Sequence, residues 1–401
     1  MKSILSLYRI GPGPSSSHTM GPKSAAVILL DRYPEAKSFR VELYGSLART
    51  GKGHLTDKVL ADTLGSNADI HWLPEKQLPE HPNGLILYAY DAAGKELGFW
   101  KGYSTGGGSI KEEGKNSSEP EVYVQNFFSD YIKQAENEGC SLQEIVYRTE
   151  GKTIKEHLSK VWQVMENSIL RGLKTEGVLP GGLRLERKAK SFYKKARRNN
   201  PVFQRTGLSA SFALAVAEEN ACGETVVTAP TCGSAGVLPA VLYYLKDFFK
   251  LELEDIQDGL AVAAVVGNVV RSNASISGAA VGCQGEVGTA CAMASAAACG
   301  LMGGSLLQIE YAAEMGMEHH LGLTCDPLQG LVQIPCIERN AVAAMRAMDC
   351  ADFALLSDGR HRISFDSVVE VMLETGNDLS SNYKETSLGG LARLGLYNRR
   401  I

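Results

Sequence analysis

Nine cysteines are spread through these 401 residues, yet no two of them stand in C-x-x-C spacing. That absence removes zinc ribbons and ferredoxin-type clusters, whose ligands arrive in such pairs. A charge excess is missing too: 41 Lys and Arg against 45 Asp and Glu leave −4, which excludes a general polyanion binder. One dense basic stretch, RLERKAKSFYKKARRNN (184–200), sets eight cations against one Glu without a recognisable nucleic-acid module, and it reads as a solvated helix or linker. Walker and dinucleotide spacings are lacking, as are internal repeats and low-complexity segments. The uncharged run VGTACAMASAAACGLMGGSLLQI (287–309) is long enough for a bilayer but is dominated by Gly, Ala, Ser and Thr, so it is expected as a buried helix rather than a membrane span. Residues 1–10 lack the apolar core of a secretory leader, and the cysteines are therefore expected as free thiols, ligands or catalysts in a reducing, cytoplasmic compartment.

What is present divides the chain. SFRVELYGSL (38–47) alternates as a strand does, and LILYAYDAAGKELGFWKGY (85–103) reads as a hairpin. SLQEIVYRTEG carries a capping box in Ser141 and Glu144. From about residue 153 helical signals take over: LSASFALAVAEENACG, GVLPAVLYYLKDFF and IQDGLAVAAVVGNVV are apolar on most faces, and SFDSVVEVMLETG opens on serine or aspartate caps and closes at Gly376. The expectation is an α+β N-terminal domain (1–150), a linker (151–180) and an all-α C-terminal domain (181–401).

Three polar knots stand out. In IGPGPSSSHTMGPKSAAVILL, Ser15, Ser16, Ser17, His18 and Thr19 gather hydroxyls and amides ahead of Pro22, which suits a first helical turn; such a turn can hold a carboxylate or phosphate. One serine would have been enough for an ordinary cap. GSLARTGKGHLTDK (45–58) places His54 three residues from Asp57, a spacing in which a carboxylate could fix the tautomer of an acid–base histidine. YSTGGGSI (103–110) could bring backbone close to a ligand. Among the cysteines, Cys291 and Cys299 lie in an Ala-rich helix and read as small apolar residues, with Cys140, Cys222 and Cys350 equally bland. Cys283, Cys325 and Cys336 differ, because glycine or proline neighbours put each in a loop or at a helix end, where a thiol can face a metal.

The segments GPGPSSSHTMGP, YGSLARTGKGHLTD, TGGGSI, APTCGSAGVLPAVL, GCQGEVGTACAMA, CDPLQGLVQIPCIERNA and LETGNDLSSNYKETSLGGLA occur in that order. Over nearly its whole length the chain resembles the iron–sulfur-dependent L-serine dehydratases, in the single-chain form with the beta domain before the alpha domain. The resemblance implies a [4Fe–4S] cluster on the three matching cysteines, Cys283, Cys325 and Cys336, whose intervals of 42 and 11 residues agree with the family's. It implies that Ser15–Thr19 approach cluster and substrate across a domain interface, with His54 as base and His18 beside it. It further implies a homodimer that releases pyruvate and ammonia from L-serine, with no nucleic acid or membrane as partner. One departure stands against the pattern: members of the family can end in a cysteine that caps the fourth iron, and here no cysteine follows Cys350. A cluster-dependent lyase for L-threonine, L-cysteine or a related hydroxy acid, or an iron–sulfur amino-acid sensor, are the alternatives.

Overall fold

The computed structural model describes residues 1–66, 68–115, 120–198 and 201–396; the end of the basic stretch and the last five residues of the chain lie outside these. In chain order the elements are β1 (Ile10–Pro12), α1 (Gly21–Arg32), β2 (Ser38–Tyr44), α2 (Gly45–Thr50), α3 (Thr56–Leu64), β3 (Ala68–Leu73), β4 (Gly84–Tyr90), β5 (Glu96–Gly106) and β6 (Ser109–Glu112). There follow α4 (Phe128–Glu138), α5 (Leu142–Glu150), α6 (Ile154–Lys174), α7 (Ala189–Ala196), α8 (Pro201–Ala221), β7 (Thr225–Val227), α9 (Val237–Phe249), α10 (Leu253–Asn273), α11 (Gly278–Val281), α12 (Thr289–Leu301), α13 (Leu306–Glu318), α14 (Cys336–Leu356) and α15 (Phe365–Asp378). The expected sequence of an α+β part followed by helices is what the chain adopts.

The sheet runs β3-β2-β4-β5-β6, parallel between β2 and β3 and antiparallel elsewhere. Strand alternation sends Val41, Leu43, Leu85, Leu87 and Trp100 into one core with Ala25, Leu29 and Leu60 from α1 and α3. The expected hairpin is β4–β5. The triple glycine lies at the β5–β6 turn with all three residues at positive φ, packed near Ile276, Ser277 and Arg9.

The second core is helical, with α12 buried along its length. Its small residues let neighbours approach: a Cβ on Gly316 of α13 would lie 2.8 Å from the Cα of Ala292. This close packing accounts for the uncharged 287–309 run, which is two helices joined by a turn. Among the described residues no helix is long and apolar enough to cross a membrane. Ser141 and Glu144 form the expected capping box. Gly376 is not a stop: α15 continues through Asp378, and Gly376 instead gives room to Val281, 2.6 Å from where its Cβ would sit.

The expected division at 150–180 does not coincide with a break in packing. Residues 154–174 form α6, whose Ile154, Leu158, Val161, Trp162, Met165 and Ile169 make a buried stripe. Each such side chain contributes about 1.5–3 kcal/mol by leaving water, so this segment is core, not linker. Phe128, Tyr131, Leu142 and Ile145 join the same core, as do Met1, Ile4, Leu7 and Tyr8 from the chain start. The N-terminal strand β1 pairs antiparallel with β7, Ile10 opposite Val227. The sheet unit therefore both leaves and re-enters the helical body.

Candidate active site

Ser15 accepts the amide of His18 (3.1 Å) and opens a π-helical turn, Ser16–Met20, that runs into α1. Single π turns concentrate at functional sites because they re-aim side chains within a helix. All five residues from Ser15 to Thr19 are buried. His18 Nδ1 lies 2.8 Å from Ser17 Oγ, and its Nε2 lies 3.3 Å from Ser46 Oγ at the start of α2. Ser46 donates to the carbonyl of Glu385 (2.9 Å). The His18 and His54 rings meet edge to face, with centroids 4.5 Å apart.

His54 is fully buried, and among the described residues neither ring nitrogen has a hydrogen-bond partner. Asp57 does not orient it. Leu55 turns through a left-handed conformation (φ 56°), and Asp57, in the first turn of α3, accepts from the amide of Lys58. The nearest carboxylate comes from the far end of the chain: Glu385 Oε1 is 4.0 Å from His54 Nδ1 and 3.6 Å from His18 Nδ1. Glu385 itself has left-handed backbone (φ 58°), a cost a non-glycine residue bears only where surrounding contacts hold it. Here its amide donates to the Cys325 carbonyl (2.7 Å), while the Cys325 amide donates to Tyr383 (2.8 Å).

The three singled-out cysteines converge. Cys283, Cys325 and Cys336 line one small cavity of about 20 Å³ together with Ser15, His54, Glu286, Asp326, Arg339 and Glu385. Cys336 is the first residue of α14, where the helix dipole favours a thiolate. Cys283 immediately precedes a second π turn, Gln284–Gly288, leading into α12. Gln284 pins that turn, giving its amide to the carbonyls of Val281 and Met372 and accepting from Gly322 and Thr375. Of the serine-rich turn only Ser15 reaches the cavity wall; Ser16, Ser17, His18 and Thr19 stand behind it. Cys291 and Cys299 lie elsewhere, buried inside α12.

The electrostatics of the cavity are those of buried, closely spaced acids. Burial pushes the Cys283 thiol up to about 11, and it raises Cys325 and Cys336 further, each also opposed by the other thiols. Burial likewise raises the carboxyls of Glu286 and Glu385. Glu286 accepts from Thr231 Oγ1 (2.7 Å) and faces Cys325 Sγ at 3.8 Å. Among the described lining residues the cation is Arg339, one turn along α14 from Cys336, held by the Thr324 carbonyl (2.7 Å) and close enough to Cys283 to favour its thiolate. Desolvation depresses both imidazoles, His18 to about 3 and His54 well below its ordinary value, so both are neutral at physiological pH. Sequence reasoning missed Ser46, Glu286, Arg339 and Glu385. All four lie inside the segments that carry the family resemblance, but none is singled out there.

The chain matches the serine dehydratase beta chain family over residues 3–67 and the serine dehydratase alpha chain family over 92–392. It is 41% identical to the L-serine dehydratase of Streptomyces coelicolor, with the match covering 97% of this chain and 98% of that one. It is 39% identical to the L-serine dehydratase of Haemophilus influenzae over 98% of this chain and 99% of that one, and 40% identical to L-serine dehydratase 1 of Escherichia coli K12 with the same coverage. With both parts in one polypeptide and their polar residues around one cavity, this chain belongs to the serine dehydratase family.

Proposed function

We infer that this chain deaminates L-serine to pyruvate and ammonia in the cytoplasm, with a [4Fe–4S] cluster held by Cys283, Cys325 and Cys336. The observation that carries the reading is the single cavity on which three thiols, His54 and the Ser15 turn converge from both parts of the chain. The donor set fits such a cluster. Three buried thiols opposed by neighbouring acids are unfavourable as free thiolates, and a cationic iron core relieves that opposition. All nine cysteines are unpaired, as a reducing compartment requires. When bound, a cluster with three protein ligands supplies one open iron that acts as a Lewis acid on the substrate oxygens.

The chain's own residues do the rest. His54, neutral and unpartnered, takes the α-proton at a ring nitrogen. Ser15, the residue of the serine-rich turn on the cavity wall, stands against the bound substrate. Thr19 instead gives its proton to the His54 carbonyl (2.7 Å). The β-hydroxyl departs as water by taking the α-proton back from His54, which returns to its neutral form, and aminoacrylate then tautomerises to an imine. Water hydrolyses that imine to pyruvate and ammonia, so the two waters cancel. Burial of the cavity protects the base from solvent until substrate enters.

The test is pyruvate release from L-serine by anaerobically reconstituted protein, with L-threonine, L-cysteine and D-serine assayed alongside. Turnover of L-serine that is lost on exposure to air supports the reading. Turnover confined to another of these substrates replaces serine with that substrate, and intact serine binding without turnover favours a sensor.

A further inference from the structure

Ser46 belongs to none of the expected site residues, yet it decides the protonation pattern around His18. Its hydroxyl has one proton. A carbonyl oxygen only accepts, so the 2.9 Å contact to the Glu385 carbonyl takes that proton. Toward His18 Nε2 at 3.3 Å, Ser46 Oγ can then only accept, and Nε2 must carry hydrogen. His18 is buried and neutral, so its Nδ1 is bare and must accept the proton of Ser17, 2.8 Å away. Ser17 in turn has only lone pairs to offer Ser15 Oγ at 3.3 Å. The alternative tautomer would set a bare Nε2 against the Ser46 lone pairs or leave the Glu385 carbonyl without a donor.

We propose that Ser46 is a positioning residue of this site: it fixes His18 as the Nε2–H tautomer and so commits the Ser17 hydroxyl to His18 as a donor. One consequence follows, and it rests on the proposed serine deamination: His18 has no free lone pair with which to take a substrate proton, which leaves His54 as the base. The backbone supports the placement of Ser46: its amide donates to the Pro82 carbonyl (3.1 Å), which holds the start of α2 against the entry to β4. The tautomer is inferred here from the hydrogen-bond network, which makes it open to direct measurement.

The experiment is a long-range ¹⁵N–¹H correlation spectrum of the full chain labelled with ¹⁵N-histidine, with His18 assigned by comparison with His18→Asn. The expected result is a protonated Nε2 and bare Nδ1 in the wild type, unchanged in Ser46→Thr and lost or mixed in Ser46→Ala. For reconstituted protein, kcat should fall about 10- to 100-fold in Ser46→Ala and recover in Ser46→Thr, the range seen when a partner that orients a site histidine is removed. A wild-type His18 protonated on Nδ1 overturns the proposal, as does a Ser46→Ala spectrum with the wild-type tautomer. The wild-type spectrum suffices should either variant fail to fold. If the tautomer is as expected but L-serine is not turned over, the serine reading fails and the role of Ser46 stands.

Discussion

Thr19 Oγ1 donates to the backbone carbonyl of His54 at 2.7 Å, and Thr56 Oγ1 returns the favour by donating to the carbonyl of His18 at 2.6 Å. Each histidine loop is thus fastened by a threonine one or two residues from the other histidine. Replacing either threonine by valine keeps the shape and leaves a buried carbonyl unsatisfied. The expected cost is about 1–3 kcal/mol of stability per variant, read from urea midpoints at constant m-value. Turnover should fall more than stability, because the edge-to-face His18–His54 contact depends on both bonds.

The cysteines should separate cleanly. Serine at 283, 325 or 336 should abolish tightly bound iron and sulfide, measured per chain after anaerobic reconstitution. Cys299→Ala, inside α12 and away from the cavity, should keep wild-type iron content. Equal iron in all four variants would remove the three-thiol assignment.

Gly278, the first residue of α11, leaves a gap at the cavity edge. A Cβ there would sit 2.6 Å from Glu286 Oε2 and 3.1 Å from Cys325 Sγ. Gly278→Ala should displace Cys325 and lower iron retention, with helical circular dichroism unchanged. Full iron retention would mean that Glu286 yields without moving the thiol.

Two opposed pH limbs are expected in stability. His18, His54 and His81 are all depressed by burial, His18 to about 3 and His81 to about 4, from an ordinary 6.5. As pH falls below about 6.5 the unfolded chain binds protons that the folded chain refuses. Their contribution is therefore complete above that pH and is lost as pH drops toward the folded values. Glu314 on α13 has the opposite sign: burial, and Glu318 one turn on, raise it to about 8. Its contribution is complete below the ordinary carboxylate range and is lost as pH rises through about 8. Glu314→Gln should flatten the alkaline limb of a thermal-denaturation series between pH 7 and 9, and His81→Gln should flatten part of the acid limb.

Much of this was readable in the chain's own order. Alternation in SFRVELY, the capping pair Ser141 and Glu144, and the glycine or proline beside Cys283, Cys325 and Cys336 are local signals, and the structure honours each of them. What was not readable is long-range. Glu385 lies 331 positions from His54 and reaches it only because the tail backbone pairs with Cys325. Asp57, the sequence neighbour of His54, looked the better partner and faces away. The extent of the helical core was misjudged for a related reason: the apolar stripe of α6 reads as an ordinary amphipathic helix, and nothing local says which body it packs against.

The pairing of β1 with β7 has a further bearing on how the site stays assembled. Near the other end of the excursion the amide of Val122 donates to the Met1 carbonyl (2.9 Å), so the sheet unit is moored to the helical body at both ends. If the contact around Glu385 opens, the histidine loops stay within a short radius of the thiols. Re-forming the cavity is then an intramolecular encounter at high effective concentration, not a search through solution. The two halves of the chemistry are carried on a closed loop of chain.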